Sequence, residues 1–192
     1  MAFDRILDSD KYLFWTQMLR QPARIVALSP SSTDLADAMT AGLGTTSGPV
    51  IELGVGTGKI TEAMLRRGVP EHQLHLFEID AKFAAFLRRR FPGATVHEAP
   101  AQTLQARGVQ AAEATISGLP LLSMPGQVQH DIVDAAFGAM RPGGRFVQFT
   151  YGTSPPIERA VRDDLRLTWR TRGRVWRNLP PAQVYEFYRM PG

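Results

Sequence analysis

The sequence contains no cysteine and only four histidines, His72, His75, His97 and His130. The absence of cysteine excludes disulfides, a cysteine nucleophile and thiolate-bound metals. No two histidines have the spacing of a metal site, so we expect no metal. No apolar run approaches the roughly 18 residues that span a bilayer. The first residues lack the basic start and apolar core of a secretory signal, so we expect the protein in the cytoplasm.

The charge is unevenly distributed along a chain of otherwise ordinary globular composition, with 192 residues and 44% hydrophobic side chains. Residues 1–144 hold 13 basic and 14 acidic side chains, whereas residues 145–192 hold 9 arginines and only 4 acids. Trp169 and Trp176 are interleaved with these arginines. A basic, aromatic segment suits phosphate groups of nucleic acid or of anionic lipid, although a solvated basic face has the same pattern.

The first 24 residues predict an amphipathic helix that ends near Pro22. Aromatic and apolar side chains beside basic ones are favoured at a membrane surface. The side chains concerned are Lys11, Tyr12, Phe14, Trp15, Leu19 and Arg20. A helix packed on the domain would have the same pattern. We expect residues 1–24 to form a membrane-binding helix and residues 25–192 to form one domain.

Strands and helices alternate over most of residues 25–192. The predicted strands cover residues 50–53, 74–79, 95–97, 114–117 and 145–150, with two more near 174–178 and 183–188. Helices are predicted at 59–67, after Asp80, at 127–140 and near 156–165, with Phe86 and Val128 facing the core. This alternation predicts an α/β domain with a doubly wound, mostly parallel sheet of seven strands that helices cover on both faces.

A glycine-rich segment, Glu52-Leu53-Gly54-Val55-Gly56-Thr57-Gly58, follows the first of these strands and opens a helix. Glycines let the backbone turn tightly and let a ligand approach bare amides. The segment is not a phosphate-binding P-loop, because Ile60 replaces the required Ser or Thr. It is not a dinucleotide loop, because the third glycine arrives one residue early. Glu52 itself has an alternative role, as a strand-end carboxylate bound to backbone amides.

A second acid, Glu78, ends the next predicted strand, 20 residues beyond Gly58. A carboxylate there can accept both ribose hydroxyls of a nucleoside. Asp80 could do the same but fits the N-cap of the following helix better. The series of strand, glycine loop, helix, strand and acid therefore predicts a nucleoside-containing cofactor.

On these motifs the sequence resembles the class I S-adenosylmethionine-dependent methyltransferases, which have a Rossmann-like fold. The resemblance implies that S-adenosylmethionine is bound and S-adenosylhomocysteine is released, without a metal. It implies cofactor-binding roles for Glu52, Gly54, Gly56, Gly58, Glu78, Ile79, Ala101, Gln102 and Ser117. The acid that binds the adenine amino group in that family is replaced here by Pro100. Recognition of the adenine would then fall to Gln102 or to backbone near Ala101.

The segment Ser117-Gly118-Leu119-Pro120-Leu121-Leu122 corresponds to the acceptor loop of amino-group methyltransferases. Enzymes that methylate adenine place an Asn and an aromatic side chain in this loop to hold a flipped base. Gly118 and Leu121 replace them here. We therefore expect an aliphatic amine as the acceptor, with Ser117, Gly118 and Leu119 beside the reacting groups.

Nearly the whole chain resembles bacterial phospholipid N-methyltransferases. The resemblance rests on residues 28–32, 50–58, 117–122, 141–152 and 175–182. It implies methylation of phosphatidylethanolamine, in up to three steps, to phosphatidylcholine at the inner face of the cytoplasmic membrane. The N-terminal helix would bind an anionic membrane surface, and no nucleic acid or obligate protein partner is expected.

Several polar residues are candidates for binding the lipid. Tyr151, just after the fifth strand, would orient the amine or take its proton, unless it is an ordinary core tyrosine. The lipid phosphate would be held by backbone amides or basic side chains, and Asn178 would face the acceptor pocket or only terminate its strand. The phosphate candidates are Ser31, Ser32, Arg174 and Arg177. A methyltransferase acting on adenine in RNA, one acting on a small soluble amine, and a cofactor- or membrane-binding protein without activity remain alternatives.

Overall fold

The computed structural model describes residues 31–178 and 180–191. The predicted membrane-binding helix over residues 1–24, with Lys11, Tyr12, Trp15 and Arg20, lies outside the described residues. The expectations for this segment therefore stay predictions.

Helices and strands alternate along the described chain, as predicted. In order they are α1 (Ser31–Met39), β1 (Val50–Leu53), α2 (Lys59–Arg66), β2 (Leu74–Glu78), α3 (Ala81–Arg90), β3 (Thr95–Glu98), β4 (Ala112–Ser117), α4 (Gly126–Ala139), β5 (Met140–Thr150), α5 (Arg159–Asp164), β6 (Leu167–Val175) and β7 (Ala182–Arg189). The strands form one seven-stranded sheet in the order β3-β2-β1-β4-β5-β7-β6. β1 to β5 pair in parallel, while β7 lies antiparallel between β5 and β6. The predicted mostly parallel α/β sheet is confirmed.

Each face of the sheet carries its own apolar cluster, because successive side chains of a strand point to opposite faces. On β5 and β7, Phe146 and Phe187 belong to the cluster that includes α4. On the opposite face, Val147 of β5 and Val184 of β7 belong to the cluster that includes α1 and α2. The central strand β1 is buried along its whole length. The core therefore lies on both sides of the parallel part of the sheet and holds the strand ends in fixed positions.

The sixth strand was predicted near residues 174–178, but β6 covers Leu167–Val175 and Trp176 begins a turn. β6 is an edge strand whose side chains are mostly exposed. Its many arginines hide the alternation of apolar and polar residues from which a strand is predicted. β5 likewise begins at Met140 rather than at residue 145 as predicted, because a register shift against β4 accommodates the extra residues.

Two side chains predicted to face the core are partly exposed, Phe86 by 36% and Val128 by 37%. On α3 the buried positions are Ala84 and Leu87, and the Phe86 ring packs under the guanidinium of Arg90 at 5.5 Å. On α4 the buried face includes Gln129, one residue beyond Val128.

Part of the basic excess at the C-terminal end is paired with a buried acid. The Glu186 carboxylate is fully buried and ion-paired with Arg145, Arg170 and Arg172. Burial would raise the pKa of Glu186, but hydrogen bonds from Arg172 and Arg170 hold it below its usual value. These three arginines therefore stabilise a buried acid.

Within the described ranges, no helix has both the length and the apolar character needed to cross a membrane. The same residues contain no group of three or more His, Asp or Glu side chains arranged to hold a metal ion.

Candidate active site

The predicted site residues converge at the carboxyl edge of the sheet, beside β1. Leu53, the last residue of β1, pairs with Phe77 on one side and with Ser117 on the other. The chain proceeds from β1 to β2 on one side of the sheet, whereas β4 lies on the other. Open α/β sheets bind ligands in the crevice that such a reversal creates. The structure thus brings together the glycine loop, the end of β2 and the loop after β4.

The three glycines of the loop all have positive φ, 71° at Gly54, 56° at Gly56 and 83° at Gly58. A Cβ at Gly54 would lie 2.7 Å from the Leu119 side chain, and one at Gly58 would lie 2.6 Å from the Phe91 ring. A Cβ at Gly56 would meet no described atom within 4 Å. Gly54 and Gly58 therefore allow close packing, whereas Gly56 leaves the backbone open to a ligand.

Glu78 fixes this open part of the loop. Its Oε2 accepts a hydrogen bond from the Gly56 amide at 2.8 Å, and its Oε1 accepts one from the Asp80 amide at 2.9 Å. The side chain is 8% exposed. Each carboxylate oxygen has a second lone pair, so both can also accept a hydroxyl. This arrangement suits a ribose whose two hydroxyls face the carboxylate.

Asp80 caps α3, as predicted, because its Oδ1 accepts hydrogen bonds from the amides of Lys82 and Phe83 at 2.8 and 3.1 Å. Ile79 lies half-buried between the two acids. Next to β2, β3 pairs Glu98 with Glu78, and the chain reaches Ala101 three residues later. Ala101 is buried and Gln102 half-buried in the short helical turn Ala101–Thr103. The two predicted adenine positions therefore lie one strand away from Glu78.

Glu52 is fully buried below the glycine loop. Its Oε2 accepts a hydrogen bond from the Thr61 hydroxyl of α2 at 2.6 Å, and its buried Oε1 has no hydrogen-bond partner among the described residues. Burial raises the pKa of Glu52 to about 8; the Thr61 bond opposes the shift and the charge of Glu78 adds to it. The carboxyl group is thus held by a side chain rather than by backbone amides.

The loop after β4 packs directly on the glycine loop. A Cβ at Gly118 would lie 3.0 Å from the Gly54 carbonyl oxygen, so a larger side chain would push the loops apart. The Ser117 hydroxyl accepts a hydrogen bond from the Leu119 amide at 3.3 Å. Leu119 and Leu121 are both buried. The loop is thus a closely fitted apolar wall beside the open backbone of Gly56.

Gln148 of β5, which the sequence motifs did not single out, holds this loop from the other side. Its side-chain amide donates to the Leu119 carbonyl oxygen at 2.8 Å. The side chain is buried, and its Oε1 has no hydrogen-bond partner in the described chain. In the sequence, the position of Gln148 as a polar residue within the apolar run Phe146-Val147-Gln148-Phe149 could have indicated a role in the site.

Tyr151 directly follows β5 and is 45% exposed, so it is not a buried core tyrosine. Its ring contacts the Phe149 ring edge-on, with 5.4 Å between the centroids. Tyr185, another residue outside the predicted set, donates from its hydroxyl to the Thr153 carbonyl at 2.9 Å and fixes the loop beyond Tyr151.

The C-terminal candidates lie at the same edge, farther from β1. Thr150 at the end of β5 pairs with Gln183 of β7, which pairs with Arg174 of β6. Asn178 is buried, and its side-chain amide donates to the Pro180 carbonyl at 2.8 Å. Asn178 therefore holds the turn that follows β6, three residues beyond the strand end at Val175. Its predicted contact with the acceptor pocket stays a prediction.

The backbone at residues 31 and 32 starts α1 at this edge as well. α1 lies beside α2, and the two helices are joined at their C-terminal ends by ion pairing of Arg66 with Asp37 and by the Arg67–Thr40 hydrogen bond. α2 begins at the glycine loop, so α1 also begins on the side of the site.

Residues 50–144 match a family model described as a methyltransferase domain. The chain is also 30% identical over 186 residues to an ornithine lipid N-methyltransferase from Singulisphaera acidiphila, covering 92% of this chain and 94% of that protein. The chain belongs to the class I S-adenosylmethionine-dependent methyltransferases. The resemblance to lipid N-methyltransferases is thereby confirmed.

Solved structures agree on the fold. A 1,6-didemethyltoxoflavin-N1-methyltransferase from Burkholderia thailandensis is 17% identical and superposes with a TM-score of 0.65, covering 98% of this chain and 89% of that chain. The magnesium protoporphyrin IX methyltransferase from Synechocystis is 13% identical with a TM-score of 0.64, covering 90% and 84%. The former was solved with S-adenosylhomocysteine and the latter with S-adenosylmethionine.

S-adenosylmethionine is the cofactor of this methyltransferase. The described residues fit it, because the site combines open backbone at Gly56 with a carboxylate, Glu78, that can accept two hydroxyls.

Proposed function

We propose that the protein transfers methyl groups to the amine of phosphatidylethanolamine and of its mono- and dimethyl forms, producing phosphatidylcholine. The proposal of a lipid as substrate rests on the similarity to a lipid N-methyltransferase, which extends over 92% of the chain. The loop after β4 supports an aliphatic amine, because Gly118 and buried Leu121 leave nothing to stack on a base.

For the cofactor we propose roles that follow from the described contacts. Glu78 would accept the ribose hydroxyls, and the backbone of residues 54–58 would face the methionine part. Ala101 and Gln102 would contact the adenine, because they follow the strand next to Glu78. Ser117 would border the cofactor, and its hydroxyl also accepts a hydrogen bond from the Leu119 amide.

When bound, S-adenosylmethionine would supply an electrophilic sulfonium methyl group to an unprotonated amine, and S-adenosylhomocysteine would be the leaving group. The backbone of Gly118 and Leu119 would position the amine, and Gln148 keeps the Leu119 carbonyl in place. Tyr151 would orient the amine or take its proton, since its half-exposed ring stands at the edge of the site. The rings of Tyr151 and Phe149 would hold methylated, cationic intermediates by cation–π attraction.

The phosphate of the lipid would be bound by the first amides of α1, at Ser31 and Ser32, where the helix dipole favours an anion. Arg174 and Arg177 would supply positive charge from the far side of the same edge. Such groups would favour a phospholipid over a soluble amine, because a soluble amine carries no phosphate for them to bind.

Residues 1–24 are proposed to attach the enzyme peripherally to the inner face of the cytoplasmic membrane. Deleting them should strongly weaken sedimentation with anionic vesicles while leaving the affinity for S-adenosylhomocysteine intact. Undiminished sedimentation would assign the anchoring to the methyltransferase domain alone.

An ornithine lipid is the second candidate substrate, because the relative from Singulisphaera acidiphila is named for it. Ornithine and ethanolamine both present a primary alkyl amine, whereas only phosphatidylethanolamine adds a phosphate. The purified protein should be given S-adenosylmethionine with either lipid in separate vesicles, and the products identified by mass spectrometry. Methylation of phosphatidylethanolamine supports the proposal, and methylation of the ornithine lipid alone replaces it. Methylation of RNA would instead favour an adenine methyltransferase, and methylation of a soluble amine would favour a small-molecule enzyme.

A further inference from the structure

The turn that follows β6 exposes an aromatic side chain between two basic ones. Trp176 is 72% exposed, the largest fraction among the exposed large hydrophobic side chains of the described chain. The guanidinium of Arg174 lies over its ring, 4.9 Å from the centroid, and Arg177 is exposed beside it. Arg174, Trp176 and Arg177 are called the Trp176 turn below. A large aromatic ring left in water beside two cations marks a surface for a partner.

The Trp176 turn lies at the same edge of the sheet as the candidate active site. Val175, the last residue of β6, pairs with Ala182, and the next pair joins Arg174 to Gln183, which faces Thr150 at the end of β5. Two strand spacings of about 4.8 Å put the turn roughly 10 Å from the point where the chain leaves β5. The entrance to the site and the turn therefore face the same way.

The loops that follow β4, β5 and β6 are free of acidic side chains over most of their length. Leu122, on the loop after β4, is 50% exposed at this edge. Residues 118–125, 151–157 and 174–182 together contain two arginines and no acidic residue. Trp and Arg both combine an apolar or planar body with a polar tip and are favoured at the boundary between lipid and water. Cations within a Debye length of an anionic leaflet are attracted to it.

We infer that the Trp176 turn inserts between the headgroups of an anionic bilayer and holds the entrance of the active site against the membrane. This inference rests on the proposed lipid substrate. It assigns membrane contact to the methyltransferase domain itself, in addition to the predicted N-terminal helix. A bilayer fits better than nucleic acid because Leu122, exposed on the loop after β4 at the same edge, is aliphatic and offers no stacking surface.

The chain supplies a matched control in Trp169 of the same strand. Trp169 is 46% exposed, and the guanidinium of Arg162 lies 4.4 Å from its ring centroid. It pairs with Phe187 and lies six residues before the end of β6, roughly 20 Å from the turn at 3.3 Å per residue. Trp169→Ala therefore removes an exposed, arginine-stacked tryptophan without changing the edge that holds the site.

Binding is measured by flotation with vesicles of phosphatidylglycerol and phosphatidylcholine, which offer no amine to methylate. Trp176→Ala should weaken partition of the full chain at least tenfold, because the ring contributes buried apolar area. Arg174→Gln should weaken it about fivefold at low salt and much less at high salt. Trp169→Ala should stay within twofold of the wild type. Equal partition of Trp176→Ala and the wild type, or equal loss in both tryptophan variants, would overturn the inference.

Turnover provides a second readout. Trp176→Ala should raise the apparent KM for phosphatidylethanolamine in vesicles and leave the rate on a short-chain analogue, dispersed as monomers, unchanged. Loss of the rate on monomers would place Trp176 inside the active site and contradict the inference. Absence of methyl transfer by the wild type to either form would contradict the proposed function, while the flotation result would still decide membrane contact by the turn.

Discussion

The substitution Glu78→Gln tests the most constrained contact of the cofactor site. The carboxylate accepts the amides of Gly56 and Asp80 through different oxygens. A glutamine keeps the shape but turns one acceptor into a donor, so one buried amide would face an NH2 group. Leaving such a group unsatisfied costs about 1–3 kcal/mol, and we expect the free energy of unfolding to fall by this amount.

The effect on the cofactor should be larger than the effect on stability. A hydrogen bond to a charged acceptor contributes about 1.5–3 kcal/mol, and the substitution weakens two such bonds to the ribose. A combined loss of about 3 kcal/mol corresponds to roughly a 150-fold rise in Kd. Titration calorimetry with S-adenosylhomocysteine measures this directly, and denaturant unfolding measures stability in the same samples.

Glu98→Gln is the matched control, because Glu98 is the register partner of Glu78 on β3. Its exposed carboxylate pairs with Arg88 at 3.3 Å, away from the glycine loop. The control should bind S-adenosylhomocysteine as the wild type does. Unchanged affinity in Glu78→Gln, or an equal loss in the control, would refute the ribose role.

Three further substitutions separate chemistry from structure. Tyr151→Phe should lower kcat about 100-fold without changing S-adenosylhomocysteine affinity, as expected for a positioned proton acceptor; a fully active variant would remove the hydroxyl from the mechanism. Gln148→Leu frees the Leu119 carbonyl and should lower kcat about tenfold at unchanged cofactor affinity, and an unaltered rate would show that the loop needs no such anchor. Glu52→Gln keeps an acceptor for Thr61. Because the folded pKa of Glu52 is raised to about 8, the contribution of Glu52 to wild-type stability should decline as pH rises from about 4.5 to about 8. The glutamine variant, unfolded in urea without cofactor, should lack this decline and gain up to about 3 kcal/mol at pH 7, whereas parallel pH profiles would contradict the assignment.

The parallel half of the sheet could be predicted because its signals are local. A fully buried strand such as β1 produces a short apolar run, and the positive φ angles after it require glycine at defined positions. Asp80 was predictable as an N-cap because its partners are the next two or three amides along the chain.

The remaining features depend on contacts between distant residues. Gln148 reaches the Leu119 carbonyl across 29 residues, and Tyr185 reaches Thr153 across 32. The local sequence around Gln148 or Tyr185 does not predict which distant residue the side chain will bind. The bounds of β6 were predicted wrongly because it is an exposed edge strand rich in arginine. Such a strand lacks the alternation of apolar and polar residues from which a strand is predicted.

Methyl transfer to a lipid amine is the activity that most needs a direct measurement. The test incubates purified protein with methyl-labelled S-adenosylmethionine and vesicles of phosphatidylethanolamine with an anionic lipid, then separates the lipid extract by thin-layer chromatography. We expect label in mono-, di- or trimethylated phosphatidylethanolamine. An unlabelled extract from protein that binds S-adenosylhomocysteine, with phosphatidylethanolamine and ornithine lipid both offered, would contradict methylation of a lipid amine.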